Sequence, residues 1–283
     1  MNIIDFVKKV FIGGEWVVGY KRKNHNSYEI IKLDEGWIAD PFLFSHKGDH
    51  YIFAEYVKKT KGEIACFKII NNTPVFQSIV LSEPYHLSYP CVFECENNIY
   101  MIPESADNRS VDLYMANEFP YKWEKVDQLL QGVFYDTTYF KYNGKDYLIS
   151  YSPQVGRYTL DVFELDIKKY KTELVTEIQY KENIGRPAGC LYQEDGVIYR
   201  PAQDCSRMYG EKLLFYKADL KDRKYEEELV RTLSVEEVKL PYQRIHTYNF
   251  DSDYEVIDCF KEKLQPFRSF EIIAKLVKQR FGV

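Results

Sequence analysis

Several chemistries are excluded by what this chain lacks. Its six cysteines include no C-x-x-C pair and no metal-ligand spacing. Most sit in apolar runs, where a free thiol packs as a small hydrophobe. A disulfide scaffold is not expected, and a reducing, cytoplasmic setting is. The five histidines are scattered, which removes a His-based zinc centre. No stretch approaches the ~20 apolar residues of a membrane-spanning helix. The opening MNIIDFVKKVFIGGEWVVGY has neither the basic-then-apolar order nor the small-residue cleavage site of a secretory signal. Positive charge is not in excess either. With 38 Lys and Arg against 43 Asp and Glu the net charge is −5, so a nucleic-acid partner is not expected.

Tyrosine and phenylalanine are abundant, at 25 and 18 residues, and suit strands and sugar-stacking surfaces alike. A hydrophobic content of 45% is enough for a real core in one large all-β domain. A motif then recurs five times. Its copies begin at WIADPFLFSHKGDHYIFAEY (Trp37), SYPCVFECENNIYMIPES (Ser88), FYDTTYFKYNGKDYLISYS (Phe134), GRPAGCLYQEDGVIYRPAQD (Gly185) and RIHTYNFDSDYEVIDCF (Arg244). Each is an apolar strand, a polar turn and a second apolar strand. Superposition aligns Asp40, Tyr89, Asp136, Arg186 and His246, at spacings of 49, 47, 50 and 60 residues. A period of this length built from short strands predicts an all-β, five-bladed propeller. Residues 1–36 read as a lead-in that completes a blade, with a turn at Gly13-Gly14. Residues 37–262 read as the propeller. Segment 206–243 reads as a solvated insertion that lengthens the fourth interval.

Residues 263–283 read as a short C-terminal amphipathic helix. Phe270, Ile273, Ala274, Val277 and Phe281 recur at helical spacing beside Arg268, Lys275, Lys278 and Arg280. This pattern suits packing beneath the propeller or peripheral contact with anionic lipid.

In a propeller the innermost strands line a central channel, so the aligned residues converge at one mouth. The returning strand brings its far end alongside. The rim thus pairs Asp40 with Glu55, Tyr89 with Glu104, Asp136 with Tyr151, Arg186 with Gln203 and Asp204, and His246 with Asp258. Asp40, Glu104 and Asp136 are the candidates for acid, base and orienting work, since an oxocarbenium-like transition state wants a proton donor and negative charge. Glu55, His86, Tyr89, Arg186, Arg200, Asp204, Arg244 and His246 are the candidates for substrate contact. Arginine forks match phosphate or carboxylate, or pair with a rim acid. Clustered carboxylates could take a divalent ion, but no loop has a dedicated ligand spacing. No metal site is assigned and no organic cofactor is expected.

WIADPFLF, HLSYPCVFE, YMIPES, RPAG, YRPAQDCS-x-x-YG and RIHTYN resemble the propeller domain at the amino end of plant glucosamine inositolphosphorylceramide transferases. Bacterial proteins carry similar domains, some joined to sugar formyltransferase-like modules. In the plant proteins the established glycosyltransferase type is a separate domain. More distantly, the pattern resembles five-bladed furanosidases such as glycoside hydrolase family 43. There an Asp in the first blade is the base, and other blades give an orienting Asp and a Glu acid. Asp40 matches the first position, Asp136 or Glu104 the others, and Arg186 departs from the pattern. The resemblance implies a carbohydrate-active protein of bacterial surface-glycan assembly. The leading expectation is a glycosyltransferase with a phosphate-bearing donor held by Arg186, Arg200 and His246, and with a glycan acceptor. The alternatives are a glycoside hydrolase and a non-catalytic glycan-binding module.

Overall fold

The computed structural model describes residues 12–154 and 157–264. Strands β1 (Ile12–Arg22) and β2 (Glu29–Ile30) precede the first repeat. Blade 1 is β3 (Trp37–His46), β4 (Asp49–Val57), β5 (Gly62–Ile70) and β6 (Thr73–Leu81). Blade 2 is β7 (Ser88–Cys95), β8 (Asn98–Ser105), β9 (Ser110–Glu118) and β10 (Lys122–Gln131). Blade 3 is β11 (Tyr135–Tyr142), β12 (Lys145–Tyr151), β13 (Tyr158–Asp166) and β14 (Lys171–Tyr180). Blade 4 is β15 (Tyr192–Glu194), β16 (Val197–Asp204), β17 (Lys212–Lys221) and β18 (Lys224–Leu233). Strands β19 (Arg244–Phe250) and β20 (Tyr254–Leu264) join β1 and β2 in blade 5. The protein is a five-bladed β-propeller of four-stranded sheets.

Blade 5 draws on both ends of the described chain. β1 pairs antiparallel with β20 from Ile12↔Leu264 to Arg22↔Tyr254, which covers an edge that would otherwise invite pairing with other chains. Gly13 and Gly14 lie inside this strand and form no turn. A Cβ on Gly14 would stand 2.1 Å from the Phe260 ring, so glycine is what admits that ring. Segment 206–243 is mostly ordered structure. It holds β17, β18 and the helix α1 (Val235–Val238). The C-terminal helix lies outside the described residues, apart from residues 263 and 264, which end β20.

Among the described residues, six hairpins have two-residue loops with both residues at positive φ: 47–48, 71–72, 96–97, 143–144, 195–196 and 222–223. Such loops match the right-handed twist of the flanking strands. All sit on the face opposite the strand starts. One hydrophobic core fills each seam between neighbouring blades. Ile38, Ile52 and Phe67 pack against Val18 and Val256 at the blade 5–blade 1 seam. Leu87, Val92 and Met101 pack against Phe53 and Ile64 at the next. Each such side chain contributes about 1.5–3 kcal/mol. Packing at five seams places the five inner strands around one axis.

Candidate functional site

The superposed residues sit at a shared backbone irregularity. In blades 1, 2, 3 and 5 the ladder between the two innermost strands shifts register, between Ala39 and Phe42, Ser88 and Cys91, Tyr135 and Thr138, and Ile245 and Tyr248. Two residues there oppose one, a β-bulge. Asp40 (φ 50), Tyr89 (φ 44) and Asp136 (φ 52) are the first bulge residues and are left-handed. A bulky side chain in that region is uncommon, and strain of this kind clusters at functional sites. Blade 4 departs, because its inner strand β15 is only three residues long. Its approach runs through Arg186, Pro187 and Gly189 (φ 135), where a Cβ would meet the Tyr248 carbonyl at 2.0 Å.

A bulge frees backbone N–H groups from the ladder, and carboxylates of the mouth catch them. Asp258 accepts from Asp40 N (2.8 Å), Thr247 N (2.9 Å) and His246 N (3.2 Å). Asp40 accepts from Tyr89 N (3.3 Å) and from the Thr247 hydroxyl (2.9 Å). Glu104 accepts from Asp136 N (3.3 Å). These acids therefore tie blade 5 to 1, 1 to 2, and 2 to 3.

The side chains then form two linked groups. In the first, His246 lies between Asp40 (Nε2 to Oδ1, 3.3 Å) and Asp258 (Nδ1 to Oδ1, 2.7 Å). The second contact is an ion pair too poorly aligned to satisfy Nδ1 as a hydrogen bond. Trp16, from β1, stacks on the His246 ring at 3.8 Å. In the second group, Arg186 donates from Nε to Asp136 Oδ2 (2.5 Å) and from Nη2 to Asp136 Oδ1 (3.0 Å) and Glu104 Oε2 (3.1 Å). Gln203 Nε2 adds a 2.7 Å bond to Asp136 Oδ2. Between them Glu55 meets His86 Nε2 at 2.8 Å. His86 Nδ1 accepts from Gly62 N, which places the ring proton on Nε2.

Burial pushes the Asp40 carboxyl up to about 7, with Glu55, Asp136 and Asp258 adding to the rise and His246 opposing it. Burial also drives Glu104 well above the usual range, helped by Asp136 and opposed by Arg186. For His246, burial alone would lower the pKa, but Asp258 and Asp40 outweigh it and the net shift is upward. The hydrogen bond to Glu55 raises that of His86. The mouth thus holds more protons near neutrality than the same groups would in water.

Four candidates are placed elsewhere or spent. Arg200 is 0% exposed and bonds Glu227 through Nε (2.9 Å) and Nη2 (2.8 Å), Tyr180 OH and Gly185 O. It is a buried tie from β16 to β18 and cannot hold a donor phosphate. Strand parity signals this, because residues 200 and 203 point to opposite faces. Tyr89 is fully buried, its hydroxyl meeting Thr138 Oγ1 (2.9 Å) and accepting from Gly189 N (2.6 Å). Asp204 is taken by Ser206, through its N–H (3.0 Å) and hydroxyl (2.6 Å). Arg244 packs on the Phe260 ring (3.5 Å) and donates to the Tyr209 carbonyl (3.3 Å). Arg186 is at the mouth but closed on two acids. Trp16 and Tyr209 escaped the repeat because they lie in the lead-in and in the 205–211 loop. Only the Tyr209-Gly210 pair of the motif pointed to the latter.

Among the described residues, Asp40, His246 and Asp258 have ligand atoms close enough to share a cation. Each of them is already engaged with the bulge N–H groups or with the other two.

Fold and site together define a class: a five-bladed propeller with a buried, carboxylate-rich mouth. The fructofuranosidase from Schwanniomyces occidentalis complexed with fructose superposes with a TM-score of 0.60 at 13% identity, over 79% of this chain and 52% of that one. A thermostable family-43 glycoside hydrolase gives 0.58 at 14% identity, over 80% and 89%. At such identities the likeness shows the fold alone. The chain belongs to the family described as "Glucosamine inositolphosphorylceramide transferase 1, N-terminal", whose model matches residues 25–249. Glucosamine inositolphosphorylceramide transferase 1 of Oryza sativa subsp. indica is 32% identical over 217 residues, covering 72% of this chain and 29% of the relative. That of Arabidopsis thaliana is 28% identical over 254 residues, covering 84% and 33%. The chain spans a third or less of the length of these curated relatives. Both are plant proteins, so they lend nothing to a bacterial assignment.

Proposed function

We propose that the propeller mouth is a carbohydrate site serving glycosyl transfer, with Asp40 as the proton-handling group. The observation that carries this reading is Asp40 itself. It is buried, left-handed, close to His246 and titrates near neutrality. A carboxylate with such a value can accept a hydroxyl proton as a glycosidic bond forms and release it afterwards. The names of the plant relatives support transfer as the reaction class. The mouth brings Asp40, Glu55, Glu104, Asp136 and Asp258 against Arg186, His86 and His246. This acidic balance favours the sugar over the phosphate of a donor.

A second reading is glycan binding without turnover. Arg186 favours it, because it stands in the fourth blade where the furanosidase pattern suggests an acid. Calorimetric titration with plain oligosaccharides, nucleotide sugars and nucleotides, combined with product analysis, separates these readings. Transfer is expected to need a sugar-bearing donor and to be lost in Asp40→Asn while binding persists. Binding with no product from any donor–acceptor pair would leave the second reading. Equal binding of nucleotide and nucleotide sugar, with none of plain sugars, would remove the sugar site.

A further inference from the structure

Tyr209 is 39% exposed, and its neighbour Met208 is 52% exposed. Both lie on the loop after β16, above a mouth whose other large aromatic groups are buried or half-buried. The Tyr209 ring stands edge-on to His246 at 5.0 Å and to Trp16 at 6.0 Å. The Arg186 guanidinium lies over it at 5.2 Å and over Tyr135 at 4.9 Å. The loop backbone is pinned beneath the ring. Gly210 is left-handed (φ 67), and its carbonyl accepts from Ile245 N at 2.9 Å. A Cβ on Gly210 would press on His246 Cβ at 2.9 Å, so glycine lets the loop descend onto the mouth. Tyr209 is therefore a partly exposed apolar ring held in place beside Arg186, Asp40 and Glu104.

We infer that Tyr209, backed by Tyr135 across Arg186, is the stacking platform on which the mouth receives the apolar face of a sugar ring. A sugar has a C–H face and a rim of hydroxyls. An aromatic ring flanked by carboxylates, an imidazole and a guanidinium complements both. The inference rests on the reading of the mouth as a carbohydrate site and assigns it a specificity-determining side chain from outside the repeat.

The test is calorimetry on the full chain. The probes are methyl glycosides of glucose, mannose, galactose and arabinofuranose, with uridine monophosphate alongside. Wild type is compared with Tyr209→Ala and Tyr209→Phe, each checked for an unchanged urea midpoint. Tyr209→Ala is expected to weaken the best glycoside about tenfold, and Tyr209→Phe less than threefold, because the ring and not the hydroxyl provides the stack. Undiminished binding by Tyr209→Ala would overturn the platform and leave the sugar site standing. Equal losses in Tyr209→Phe and Tyr209→Ala would overturn stacking in favour of a hydroxyl contact. Uridine monophosphate binding with the same dependence on Tyr209, and no glycoside binding, would assign the ring to a base. Failure of wild type to bind any probe would sink the sugar site and the platform with it.

Discussion

Replacing Asp40 by Asn is expected to stabilise the protein at alkaline pH while removing its proton chemistry. Asp40 titrates near 7 folded against an ordinary value of 3.8. Between those values the folded state binds more protons than the unfolded one, so stability falls as pH rises, and the loss is complete above 7. The difference corresponds to roughly 4 kcal/mol. His246 works in the same direction. Its pKa is raised, so its contribution is full below 6.5 and is lost as pH climbs through the folded value. Asparagine tolerates the left-handed backbone at φ 50 and carries no charge. It forfeits part of the bonding to Tyr89 N and Thr247, at about 1 kcal/mol per bond. The net gain at pH 8 is about 1–3 kcal/mol, vanishing by pH 5. Urea unfolding at pH 5, 6, 7 and 8, with the slope on denaturant checked for constancy, measures this. An Asn variant less stable than wild type at pH 8, or one with the same pH slope, would refute the argument that burial keeps Asp40 protonated.

Arg186→Met should strand Asp136 and Glu104 in the mouth and cost about 3–5 kcal/mol at pH 8 by chemical denaturation. The deficit should shrink as pH falls and Glu104, already raised, takes up a proton. Arg200→Met leaves Glu227 buried without its partner, so a similar loss is expected at neutral pH. The double variant Arg200→Met, Glu227→Leu should recover most of it, and both variants should keep the wild-type sugar affinity while folded. Deleting residues 1–22 removes β1 and exposes the edge of β20. Loss of a single cooperative transition, with self-association in sedimentation, is the expected result.

Much of the architecture was legible in the residues alone. Recurrence at intervals of 47 to 60 residues, with two apolar strands per copy, declared the blades, because short strands in a repeat bury their faces only by stacking on one another. The superposition also located the mouth. Asp40, Tyr89, Asp136 and His246 all stand at bulges, since a local backbone irregularity recurs with the repeat that encodes it. The register brought His246 beside Asp258, but most partners of the charges were not legible. Arg186 and Arg200 are the same residue type on one blade. One closes on Asp136 and Glu104 and the other is sealed against Glu227. Trp16 reaches His246 across 230 positions, and Tyr209 arrives on a loop outside the repeat. Periodicity along a chain determines which faces are apolar and where strands turn. Which acid meets which base, and which ring stays open to a ligand, depends on distances across blade seams, and those exist only once the ring has closed.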